Sequence, residues 1–260
     1  MTTLADIGLL AAPFAAGLLV LATHVPLGIE VLRRGIIFLD LAVAQMAALG
    51  VLVAHLLEWD APDVAHGLGV QAAAAVAAIL GALLLTWSEK RWPQLQEALI
   101  GLMFVVAASA GMLLLSGNPH GGEHLRDLLG GQVLWVGWDR LGPVAALYAV
   151  LLLAWFAWPA RLGRAGFYLA FALAVTASVQ LVGVFLVFAS LIAPAVATAG
   201  VTRRRLPLAC ALGALGYAAG LMLSLAFDLP AGAAIVCSLG LIAVLMLPRG
   251  RLAAAPGHAT

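Results

Sequence analysis

The chain has 260 residues, of which 64% are hydrophobic and only 10% charged, against about 25% charged residues in a soluble domain. A soluble fold of this length has no interior large enough for so much apolar side chain. A net charge of +1 leaves no basic surface for nucleic acid, and the stretch Met1 to Asp6 lacks the basic residues that open a cleaved signal peptide.

Apolar runs of about 20 residues cross a hydrocarbon core as helices. The runs here are rich in Leu, Ala, Val and Gly and lack the ten-residue alternation of a membrane barrel. Polar punctuation divides them into spans at about residues 7–29, 36–57, 69–87, 95–116, 142–158, 166–183, 185–201, 207–226 and 230–247. The expected fold is an all-α polytopic transmembrane bundle of about eight or nine spans in one domain, residues 1–260. Between Asn118 and Trp138, Gly and Pro come first. A short amphipathic stretch, Glu123 to Trp138, follows and is too short and polar to cross, so it is expected to lie at one mouth of the bundle.

Lys and Arg mark the cytoplasmic loops of a membrane protein. All thirteen here except Arg126 and Arg140 fall in alternate loops, which assigns those loops and the C-terminus to the cytoplasm. The opposite loops hold Glu58, Asp60, Asp63, His66, His120, Glu123, His124 and Asp228. One face is basic; the other is acidic with histidines. An external N-terminus and an internal C-terminus require an odd number of crossings, and hence a helix break near Gly183. Small residues at Ala72–Ala78, Ala107–Gly111 and Ala209–Gly220 suit close packing of helices in lipid.

Asp40 is the most informative residue. A carboxylate inside a span costs about 2.5–3.5 kcal/mol even on a lenient insertion scale, so it is expected to face the bundle interior. The alternative is an interfacial pair with Arg33 or Arg34. Gln45, five residues on, falls about 140° around the helix from Asp40, and serves either as helix–helix glue or as pathway lining. Gln180 follows Thr176 and Ser178 just before Gly183. That run suggests an interrupted helix of the kind that lines substrate routes, with interhelical hydrogen bonding as the alternative. His120, Glu123 and His124 combine imidazole and carboxylate, ligands that suit zinc, manganese or iron. They also suit an electronegative mouth that gathers cations. His24 and His55, near span ends, are expected to be structural, and Cys210 and Cys237 to be small buried hydrophobes.

No GxxxxGK[ST] phosphate loop occurs, nor a GxSxG elbow or HExxH pair. Any ATP is bound by another chain, and hydrolase chemistry has no anchor.

Pro26-Leu-Gly28, Val31-Leu-Arg33-Arg34 and Asp40 through Gly50 resemble the opening of permease subunits of zinc/manganese/iron ABC importers. The run Leu181-Val-Gly183 through Pro194-Ala-Val-Ala-Thr198 resembles that family's strongest signature, and Asp228-Leu-Pro230-Ala-Gly232 its C-terminal end. The resemblance implies two copies of the permease, two cytoplasmic ATPase subunits and an external metal-binding solute-binding protein, in a cell inner membrane. It implies a transported zinc, manganese or iron ion and no permanently bound cofactor. It also places a His four residues after the Asp, where this chain has Ala44. The family's cytoplasmic coupling segment is cut here to Trp158 through Gly166, which leaves Arg161, Arg164 and Gly166 as the expected ATPase contact. A metal channel or transporter independent of an ATPase, and a non-transporting membrane sensor or scaffold, are the alternatives.

Overall fold

The computed structural model describes residues 10–57, 68–115, 133–157 and 159–246. Its apolar runs are helices: α1 Ala11–Arg34, α2 Leu39–Leu56, α3 Leu68–Arg91, α4 Gln96–Leu115, α5 Trp138–Ala157, α6 Pro159–Val182, α7 Val184–Ala197, α8 Arg205–Phe227 and α9 Ala231–Met246. Six segments are long and apolar enough to cross a membrane, and α2, α7 and α9 are shorter. The fifth span begins at Trp138, four residues before the hydropathy boundary at 142, because Trp138, Asp139 and Arg140 join the helix.

Local chemistry sets the ends. Gly35, at φ 71°, adopts the left-handed conformation that closes α1 and returns backbone N–H groups to the Val31 carbonyl. This turn delays α2 to Leu39, three residues past the hydropathy boundary. Pro93 follows α3 and opens a single 3₁₀ turn before α4. Asp228, at φ 51°, caps α8, and Ser224 Oγ donates to the Leu229 carbonyl at 2.6 Å, making the tight turn into α9.

Contacts along the helices give their directions. In α8, Gly213 and Tyr217 lie beside Leu21 and Gly17 of α1, so the two helices are antiparallel; Gly216 and Gly220 likewise meet Leu239 and Ile235 of α9. Trp155 of α5 stacks near Phe167 of α6, and the Arg34 guanidinium lies 4.1 Å from the Phe167 ring centre. The ends carrying Arg33, Arg34 and Arg164 therefore share one side. By the positive-inside rule it is the cytoplasmic side.

The break at Gly183 is a reversal. Phe167 is level with Arg34, so α6 runs antiparallel to α1. Beyond Gly183, which is sixteen residues along from Phe167, Leu191 of α7 packs against Gly28, only six residues from Arg34 in α1. Thus α7 runs back toward the basic side. At 14 residues it rises about 21 Å, less than the roughly 30 Å hydrocarbon core.

The hairpin joins two groups of helices. α6 packs with α2 and α3, and α2 in turn with α4; α7 packs with α1, α8 and α9, while α5 leans on α6 and α1. The second group is built on small residues. A Cβ at Gly28 would collide with the Leu191 carbonyl, and one at Gly220 with the Ile235 backbone. Helices that approach this closely gain van der Waals contact, the attraction that remains when lipid is as apolar as the side chains. Cys237 is exposed on α9 and Cys210 is half-buried; Cys237 is thus not the buried residue its apolar run suggests, since an apolar run in lipid has an outward face as well as an inward one.

Candidate translocation site

Asp40 lies in the first turn of α2 and is wholly buried. Val43, Ala44 and Ala47, on the same helical face, are buried as well. Neither carboxylate oxygen has a hydrogen-bond partner. The interfacial pairing that the sequence allowed does not form. Arg33 Nη2 and Arg34 Nε each lie 2.7 Å from the Glu30 carboxylate, and Arg34 also covers Phe167. What favours the Asp40 charge locally is the partial positive charge of the α2 N-terminus.

Gln45 is half-buried, off the Asp40 face as the helical angle predicts. Gln180 is exposed on the last turn of α6, three residues before Gly183. Thr176, one turn earlier, is buried with an unpartnered hydroxyl. Gly183 itself has φ 83° and ψ 160°, backbone that only glycine adopts without strain.

Hydroxyl pairs brace both arms of the hairpin. On α6, Ser178 Oγ donates to the Ala174 carbonyl at 2.9 Å, and its oxygen is in close contact with Tyr148 Oη of α5. On α7, Ser190 Oγ donates to the Leu186 carbonyl at 2.6 Å and meets Tyr217 Oη of α8 at 2.8 Å. Nearer the cytoplasm, Gln96 of α4 ties three helices: Nε2 donates to the Leu85 carbonyl at 3.1 Å and to Tyr168 Oη at 3.2 Å, while Ser88 Oγ donates to its Oε1 at 3.0 Å. Sequence reasoning missed Tyr148, Tyr217, Ser190 and Gln96. The available signal was a phenol within an apolar span, whose hydroxyl must find a partner at that depth.

His24, expected to be structural, is fully buried in α1. Its Nδ1 lies 3.0 Å from the Val20 carbonyl oxygen and 3.0 Å from Thr23 Oγ1, and its Nε2 has no partner.

The acidic-mouth residues Glu58, Asp60, Asp63, His66, His120, Glu123 and His124 lie outside the described residues, as does all of the amphipathic stretch before Val133. Of the expected ATPase contact, Arg161 falls in the first turn of α6, Arg164 is exposed and Gly166 is half-buried. Gly163, at φ 51°, breaks that helix between the two arginines. Among the described residues no three His, Cys, Asp or Glu side chains are grouped as a metal ion's ligands would be. The arrangement is one buried, unpaired carboxylate in the first turn of α2, in a bundle whose α6 and α7 reverse at Gly183; it can meet a passing cation but does not form a closed chelate.

Comparison with known proteins agrees with this architecture. The model of the ABC 3 transport family matches residues 7–167 and 157–249. The manganese transport system membrane protein MntC of Halalkalibacterium halodurans is 27% identical over 233 residues, covering 81% of this chain and 76% of that protein. The structure of PsaBC from Streptococcus pneumoniae in complex with Fab superimposes with a TM-score of 0.71 at 20% identity, covering 96% of this chain and 95% of that one. Matched by one family model over nearly its whole length, the chain belongs to the ABC 3 transport family and is a multi-pass membrane permease.

Proposed function

We propose that the chain forms the translocation pathway of an ABC importer for a divalent transition-metal ion, with zinc, manganese and iron as the candidates. It works as a homodimer in a cell inner membrane. A separate cytoplasmic ATPase supplies the energy and an external solute-binding protein delivers the ion. The name of the MntC relative favours manganese.

One observation carries this reading: Asp40 is buried with both oxygens unpartnered while two arginines six and seven residues away are bound to Glu30. A buried carboxylate without a partner is costly, and a dication compensates that cost. Opposite unit charges at 4 Å attract by about 4 kcal/mol at an effective dielectric constant of 20, and a dication doubles this. The ion enters from the acidic mouth, where His120, Glu123 and His124 gather cations. It passes Asp40, with Gln45 and Gln180 as further polar positions along the route, and leaves among the basic loops. The paired helix groups, joined by the Gly183 hairpin, are the elements that rock as access alternates.

The test is metal uptake into proteoliposomes holding the assembled transporter. Asp40→Ala abolishes uptake and Asp40→Asn does no better, since the charge is what the site supplies. Wild-type uptake in either variant at equal protein level removes Asp40 from the pathway.

A second reading, transport without an ATPase, draws on the short link before α6. The link holds Arg161, Arg164 and Gly166 but only a single turn of helix before the Gly163 kink. Extraction in mild detergent separates the two. An ATPase that co-purifies and makes uptake ATP-dependent supports the importer; flux without either supports the second reading.

A further inference from the structure

We propose that His24 is a second cation-binding position on the pathway, on α1, with Nε2 as the ligand atom. The inference rests on the transport reading above and adds to it a residue that the family motif does not supply.

The geometry fixes the tautomer. A carbonyl oxygen only accepts hydrogen bonds, so the Nδ1 that lies 3.0 Å from the Val20 oxygen carries the hydrogen. Thr23 Oγ1 donates to that same carbonyl at 3.1 Å, and its oxygen remains free to share the Nδ1 hydrogen. In the neutral ring the lone pair is then on Nε2. This is the usual preparation of a metal-binding histidine: one ring nitrogen donates to a backbone carbonyl, which fixes the ring and leaves the other nitrogen basic. A histidine kept only for packing would have its second nitrogen satisfied. Here Nε2 is buried and lacks any donor, a costly state in a membrane interior.

Position supports the chemistry. His24 falls, by helical spacing, on the face that carries Gly17, Leu21 and Gly28. Contacts of those three residues turn that face toward α7 and α8. The opposing α7 is the returning arm of the Gly183 hairpin and carries the Ser190 hydroxyl, bonded to Tyr217. Among the described residues, His24 is the only fully buried histidine and Asp40 the only fully buried carboxylic acid. They belong to the two different helix groups that the hairpin joins. His24 is ten residues from Arg34, about 15 Å of helix rise, whereas Asp40 follows the turn at Gly35. The two therefore mark successive levels of a route and do not share one chelate. Imidazole nitrogen at one level and carboxylate oxygen at the other suit a borderline divalent metal ion such as manganese, iron or zinc.

The experiment uses manganese(II) alone as probe, bound to the full chain in lipid nanodiscs. Electron spin echo modulation detects nitrogen coordinated directly to the ion. His24→Asn keeps a donor where Nδ1 lies and deletes Nε2; His24→Gln places an amide near Nε2. Expected are a loss of nitrogen modulation relative to wild type in both variants and at least a tenfold fall in uptake by the assembled transporter, with unchanged thermal stability. Undiminished modulation overturns the proposal even if uptake falls, because the role of His24 is then only structural. If Asp40→Asn abolishes uptake while both His24 variants transport normally, this proposal fails and the transport reading stands. If the wild-type assembly moves no metal, both fail together.

Discussion

Arg34 Nε lies 2.7 Å from the Glu30 carboxylate, one turn earlier on the same helix. Arg33 reaches the other oxygen of that carboxylate at the same distance. Glu30 thus holds the two cations nearest in sequence to Asp40, which lies past the turn at Gly35.

Removing the holder should therefore weaken transport through charge rather than shape. Glu30→Gln frees both guanidinium groups, and metal uptake by the reconstituted transporter is expected to fall about tenfold, the equivalent of about 1.4 kcal/mol. Adding Arg34→Ala to Glu30→Gln should recover part of the loss. A double variant no better than the single one would show that the arginines do not compete for Asp40.

The contact of Gly28 with Leu191 predicts a stability effect with a built-in control. A methyl group at Gly28 meets the Leu191 carbonyl oxygen, whereas one at Gly240 meets nothing within 4 Å. Gly28→Ala should destabilise the detergent-solubilised protein by roughly 1–3 kcal/mol, the range for overpacking a close contact. Gly240→Ala should leave the melting temperature unchanged or slightly raised. Equal melting temperatures for the two variants would mean that α1 and α7 are not so closely packed.

Gly183 makes a conformational prediction. Its φ of 83° costs a residue with a Cβ about 1–3 kcal/mol. The position is buried between the two helix groups, so relaxation there shifts α6 against α7. Gly183→Ala should lower both the melting temperature and the uptake rate, and Gly183→Val should lower them further because a β-branched residue is still less tolerant of positive φ. Normal uptake by Gly183→Val would show that the reversal is not part of the moving structure.

Much of the fold was legible in the sequence because lipid imposes simple rules. Each helix in a bilayer must satisfy its own backbone and present an apolar exterior, so hydropathy alone located the spans. The clustering of Arg33, Arg34, Arg164 and Arg203 to Arg205 on one side, and the interruption at Gly183, followed from charge and from a local run of polar and small residues.

What the one-dimensional pattern could not decide is which way a polar side chain faces and what meets it. The spacing allowed Arg33 and Arg34 to pair either with Glu30 one turn earlier or with Asp40, and only the fold, by burying Asp40 beyond the turn at Gly35, decided between them. Nothing near His24 in sequence distinguishes a satisfied ring from one with a bare nitrogen; that depends on α7 and α8, more than 150 residues away in the chain. The break at Gly183 was local, but its direction was not, since one glycine at positive φ can turn the chain many ways and α7 is held in its course by packing on α1, α8 and α9, closest where Leu191 meets Gly28. Composition and periodicity select elements through short-range physics, whereas facing and partnership are set by close packing between helices distant in sequence.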